Sequence, residues 1–326
     1  MEHLSRRIEL LPAWFRRFVR SREIGLTMFA AVVGAVAAGC VALMNFLATS
    51  AHRYLFGVQV GDRLNGMTHL IEPWALSWPL IGGGLLVAMA WFWTRIGRGD
   101  EVDPIEANAL HGGRMSFRGS LIVAAQTIWS SGVGASVGLE AGYTQLASGI
   151  ASWVGRAFRL RRGDLRVLVG CGAAGAIAGA FGAPLGGAFY GFELVIGTYS
   201  IASLAPVGMA ALLGFLTSQA VTPGRLGIET GALSGLAVHD LIIAGLVGML
   251  AEIYGIALMR VVAPCAELFK RARVPAGVRP AIGGAVVGLL AIVSPQVMSS
   301  GHGALHLAGI FNLPLKEIAL IFILKS

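Results

Sequence analysis

Charge is what this sequence has least of. Asp, Glu, Lys and Arg make up only 13% of its 326 residues, about half the share of a soluble domain. Set beside 56% hydrophobic residues and a mean hydropathy of +0.73, that scarcity excludes a water-soluble fold. Cysteine is scarce too. Cys40, Cys171 and Cys265 lie far apart, in or beside apolar segments, which excludes a disulfide frame or a cysteine metal cluster and leaves them as small core residues. No H-E-x-x-H pair occurs, which argues against a zinc-dependent membrane hydrolase. No enzymatic activity and no cofactor are expected. A cleavable signal is also missing: the first residues up to Arg22 mix six arginines with Leu10, Leu11, Trp14, Phe15, Phe18 and Val19, the pattern of an amphipathic surface helix over 1–22.

What is abundant is glycine. The 46 glycines follow no period, which excludes collagen, and they suit helices whose backbones approach closely in lipid, where small residues drive packing. Stretches free of charge run over Ile24–Ala51, Pro73–Thr94, Gly119–Leu139, Val167–Phe192, Leu194–Gly224, Leu241–Ala251 with Ile253–Met259, and Pro280–Leu315, where a bilayer crossing needs about 20 apolar residues. Several are too long or broken. Val167–Gly224 passes Gly182-Ala183-Pro184 and Glu193, so it should hold three helical pieces.

The net charge of +8 does not point to nucleic acid, because the basic residues sit between apolar spans. Nineteen of 25 fall in five groups, Arg6–Arg22, Arg95 with Arg98, Arg114 with Arg118, Arg156–Arg166 and Lys270–Arg279, which the positive-inside rule puts in the cytoplasm together with the N-terminus. Gly119–Gly155 must then enter and return within 37 residues. Broken helices ending inside the membrane solve this, and they are tolerated where loose backbone lines a cavity, as at transporter ion sites.

Residues 130–149 read SSGVGASVGLEAGYTQLASG, with glycine at 132, 134, 138 and 142 around Glu140, the one acid between Glu106 and Asp164. An ionisable residue inside an apolar passage is a functional candidate. A helix starting near Gly138 would aim free N–H groups and its positive end at a cavity, able to hold an anion without a buried cation. The Glu140 carboxylate would compete for that place. Its structural alternative is a plain N-terminal charge at the interface.

The block GLEAG at 138–142, followed by Arg156–Arg166 and by GCGAAGAIAGAFGAPLGGAFYGFEL at 170–194, resembles the CLC family of chloride channels and proton-coupled chloride exchangers. The resemblance implies an all-α polytopic membrane protein with an inverted-repeat fold of tilted and broken helices, divided here as 23–224 and a partial second half at 225–326. It implies a homodimer in a bacterial inner membrane, with chloride or a similar anion as partner besides the lipid bilayer. Glu140 would gate the pore, and the backbone at Gly138, Leu139, Ala141 and Gly142 would face the anion. Departures from the family's G-R/K-E-G-P motif are Leu139, Ala141 and Gly142. Glu193 matches the first member of the family's inner acid pair, while Leu194 stands where many exchangers carry a proton relay, and a leucine relays none.

The family's first ion-site motif, G-S-G-I-P, finds its candidate in Gly97–Pro104, GRGDEVDP, with Gly97, Gly99, Glu101 and Pro104 as the aligned positions and no serine. The alternative there is an Asp-Pro helix start. An EF-hand spacing from Asp100, Glu101 and Asp103 is not completed. His302 and His306 read as a polar helix end rather than a proton or metal pair, and Tyr143 and Trp129 as packing or interface anchors. The chain stops at Ser326 inside an apolar segment that begins near Leu313, before the family's second-half G-x-F-x-P motif and distant tyrosine, so a truncated chain is expected. The expected function is passive or weakly coupled passage of chloride. Alternatives are another anion such as fluoride, or a non-conducting structural remnant.

Overall fold

An apolar run in lipid must satisfy its own backbone, so it becomes helix, and what distinguishes one helix from the next is where its ends are set. The computed structural model describes residues 23–58, 64, 73–85, 102–223, 237–275, 278–300 and 314–325. The N-terminal segment 1–22 lies outside them. The described elements are α1 (Glu23–Phe56), a 3-10 turn at Pro73–Ser77 that continues helically over 78–85, α2 (Pro104–Leu110), α3 (Phe117–Gly132), α4 (Glu140–Ala157), α5 (Arg162–Phe181), α6 (Pro184–Tyr190) running into a π-helical turn at Gly191–Ile196, α7 (Ile201–Val221), α8 (Val238–Arg271), α9 (Arg279–Val293) and α10 (Leu315–Lys325). Among the described residues there is no strand.

Local chemistry sets the boundaries. Asp103 caps α2 by accepting from the Glu106 amide at 2.8 Å, with Pro104 in the first turn where its missing N–H is harmless. Ser116 caps α3, and Ser200 and Ser203 cap α7 reciprocally. α5 stops at Gly182, whose φ of 65° is left-handed and suits glycine, and Pro184 then opens α6. The expected three pieces between 167 and 224 are therefore α5, α6 with its π turn, and α7.

Helix lengths are unequal. The 34 residues of α1 and of α8 reach about 51 Å, longer than the hydrocarbon, and require tilt. The 16 and 18 residues of α3 and α4 reach only about 24 and 27 Å, short of a 30 Å core. They are the broken passage that the charge pattern demands. α1, α5, α7 and α8 are each long and apolar enough to cross a membrane.

The described residues pack as two units. One holds those up to Tyr54, 102–133 and 137–223, and the other holds those within 55–85, 134–136 and 237–325. Packing thus groups 55–85 with the later segment, whereas the sequence division at 224 follows chain order. In the first unit α5 is the central element, packed against α4, α6 and α7. A Cβ on Gly175 would lie 2.7 Å from the Gly34 Cα of α1, and one on Gly214 would lie 2.8 Å from the Gly175 Cα, so glycine alone permits this three-helix crossing. Three buried polar side chains on α4 are spent on backbone groups. Ser148 donates to Val169 O, Ser152 donates to Gly113 O and accepts from Met115 N, and Gln145 donates to Val102 O, so burial leaves no orphan there.

In the second unit the 78–85 turn meets α9 closely, with a Cβ on Gly83 or Gly284 reaching backbone of the other at 2.8 Å. Phe56, Val58, Leu64, Ala75, Ala291 and Met298 form its core. Lys325 ends α10 by donating to the carbonyls of Gln296, Val297 and Ser299.

Candidate functional site

α4 begins at Glu140 without a capping side chain. Leu139 holds the N-cap position, and the first helical hydrogen bond runs from Tyr143 N to Leu139 O at 3.0 Å. The amides of Glu140, Ala141 and Gly142 thus have no acceptor within the helix. The Glu140 side chain folds back toward this end: a Cβ on Gly138 would overlap its carboxylate. Only glycine at 138 leaves the carboxylate that room. The charge then rests against the positive end of its own helix, an arrangement worth about 0.3–1 kcal/mol when exposed and up to about 2 kcal/mol when partly buried.

Gly142 serves differently. A Cβ there would lie 2.7 Å from the Met44 Cε and 2.8 Å from the Thr127 Cβ, so this glycine seats α4 against α1 and α3. Ala141 is exposed while Leu139 is buried. One turn on, the buried Thr144 donates to Glu140 O at 2.7 Å. The Thr144 side chain also lies against the hydroxyl of Tyr190 at the end of α6. Tyr143, expected as a packing residue, is buried beside Glu140 and Tyr190. Thr144 and Tyr190 were not singled out in the sequence. Tyr190 sits inside the conspicuous 170–194 block, but a tyrosine between glycine and phenylalanine carries no local signal of a polar partner.

Glu193 lies in the π turn, away from that helix start in the chain, and is exposed, accepting from the Tyr199 hydroxyl at 2.5 Å. π-helical turns recur at functional sites. Leu194 beside it is half exposed at 50% and supplies no acid. Of the first-motif candidates, Gly97, Gly99 and Glu101 lie outside the described residues, as do His302 and His306. Pro104 opens α2, but the capping carboxylate of Asp103 already occupies an amide that an anion would need. Among the described residues no group of three metal-ligating side chains comes together.

Residues 83–326 match the family model described as voltage gated chloride channel. The chain belongs to that family. A ClcB-like chloride channel protein of Ralstonia nicotianae is 30% identical over 312 residues, covering 88% of this chain and 70% of the relative. A voltage-gated ClC-type chloride channel, ClcB, of Citrobacter koseri is 28% identical over 315 residues, covering 95% and 73%. The fold is similar to that of a slow cyanobacterial chloride/proton antiporter, with a TM-score of 0.72 and 19% identity over 92% of this chain and 72% of that one. A CLC-type fluoride/proton antiporter gives 0.69 and 21% over 93% and 74%. The chain is therefore a polytopic helical membrane protein of an anion-transporting family. The break between α3 and α4 falls within the passage where the charge pattern calls for one.

Proposed function

We propose that this CLC protein passes chloride or a similar small anion across a bacterial inner membrane as a homodimer, with its N-terminus in the cytoplasm and Glu140 as the gate. One observation carries the reading: the Glu140 carboxylate lies over Gly138 at the uncapped start of α4, where a permeating anion would seek the same amides. Ionised, the carboxylate blocks that place; protonated or displaced, it leaves the amides of Glu140, Ala141 and Gly142 to the anion. The flanking positions Gly138, Leu139, Ala141 and Gly142 contribute backbone alone, which explains how the motif tolerates side chains unlike the usual ones. The two inverted halves, 23–224 and 225–326, would frame the path.

Anion efflux from liposomes tests this. Glu140→Gln should keep flux and lose most of its dependence on external pH, since the only change is removal of a titrating blocker. Loss of flux in a folded variant would instead assign Glu140 to structure. Coupling is expected to be weak, because Leu194 offers no proton site beside Glu193. Uphill anion movement driven by a proton gradient would overturn that and point to Glu193. Fluoride is the second reading: the Gly97–Pro104 segment carries no serine to supply the hydroxyl that would favour chloride, and equal efflux of both halides would support it. Orientation is checked separately by cysteine labelling, which from outside should not reach positions near Arg162 or Arg273 in sealed cells.

A further inference from the structure

On the basic side of the first unit, the α2–α3 loop, the end of α4 and the start of α5 enclose a cavity of about 670 Å³. Arg114, Arg156, Arg159, Arg162 and His111 line it, and none of its described lining residues is acidic. Retention of arginines in the cytoplasm explains the charge, but it requires neither a cavity nor a fixed geometry. Here both exist. Ser152 ties the loop at Gly113 O and Met115 N, and Arg156 donates to Met115 O at 2.9 Å. A Cβ on Gly112 would lie 2.8 Å from the Arg162 Cγ, so the loop glycine lets the Arg162 side chain cross it.

Arg159 supplies the second observation. It follows the last turn of α4 with a φ of 54°, and Leu160 N closes back on Gly155 O at 3.0 Å. That is the terminating position glycine usually fills, since a side chain there is strained. Strained residues of this kind gather at ligand clamps. α5 adds its first-turn amides, uncapped by any side chain, and a positive helix end.

We propose that this cavity binds a phosphate-bearing anion, with Arg159 and Arg162 as its principal donors and Arg114 completing the charge. Guanidinium forks match phosphate oxygens in pairs, and the volume exceeds what a single halide needs. The phosphate comes from a soluble phosphoester or from a lipid headgroup.

The test uses the whole chain in phosphatidylcholine nanodiscs, titrated calorimetrically with pyrophosphate. Arg159→Gly and Arg162→Gln should each weaken binding by about tenfold, the factor carried by one charge-assisted hydrogen bond. Arg161→Gln, the same charge change on an exposed residue outside the cavity, should leave it unaltered. Arg159→Gly should also melt higher than the parent, so its weaker binding cannot be ascribed to misfolding. Nanodiscs with phosphatidylglycerol identify the source. Retained phosphatidylglycerol that blocks pyrophosphate in the parent but not in Arg162→Gln points to a headgroup, and equal pyrophosphate binding in both lipids points to a soluble phosphoester. The proposal falls if the parent binds neither probe, if Arg159→Gly and Arg162→Gln bind like the parent, or if Arg161→Gln loses as much as they do.

Discussion

α5 and α8 are both apolar enough to span a bilayer, yet they meet opposite environments. Along α5, Leu168, Cys171, Ala173, Ala174, Ala176 and Ala178 are fully buried, and half of its 20 residues are glycine or alanine. Along α8, Ile242, Leu246, Met249, Ile253 and Met259 are each more than half exposed. In water the bulkier helix would be the buried one. In lipid the bulky side chains lose nothing by facing acyl chains, and burial goes to the helix whose small residues let others approach.

This contrast can be broken at its largest point by Gly175→Leu. Its Cβ would meet Gly34 Cα at 2.7 Å and Ala210 O at 3.1 Å, so helices rather than side chains must move, at a cost of about 3 kcal/mol. Little monodisperse protein should survive detergent extraction, and a normal yield would show that the crossing is loose. Ser152→Ala comes next. It strands the Met115 N–H and Gly113 O that Ser152 now satisfies, and thermal unfolding should show a loss of about 2 kcal/mol. Because Ser152 also holds the arginine-lined loop, its loss should loosen that cavity as well. The smallest effect belongs to Gly255→Leu in α8, where an added Cβ meets nothing within 4 Å. Better helix propensity makes it neutral or stabilising by about 1 kcal/mol. A collapse there as severe as at Gly175 would mean that another surface covers α8.

The same division governs what could be read from the chain. The break at Gly182 to Pro184 was legible because both residues act on their own backbone: one permits a left-handed φ and the other lacks an N–H. Glu140 was legible because a charge inside an apolar passage has few local explanations. The start of α2 was legible only as a pair of alternatives, and Asp103 capping favours the Asp-Pro helix start. The approach of Thr144 to Tyr190 was not legible, since threonine and tyrosine are ordinary in either lipid or core. Nor was the arginine cavity: the charge count places Arg114 and Arg159 on one side of the membrane without saying that they line one space.

By itself, then, the sequence determined that this is a membrane protein of several helices, where those helices break, and which family it joins. These follow from hydropathy over about 20 residues, from backbone chemistry of single residues, and from a few spaced motifs. Only the tertiary structure decided that the Glu140 carboxylate lies over Gly138, that Gly34, Gly175 and Gly214 meet, and that arginines from three segments converge on one cavity. The meeting glycines are far apart in the chain, and close packing of small residues leaves no periodic signature. Even the short step from Glu140 back to Gly138 depends on the rotamer that the folded surroundings select.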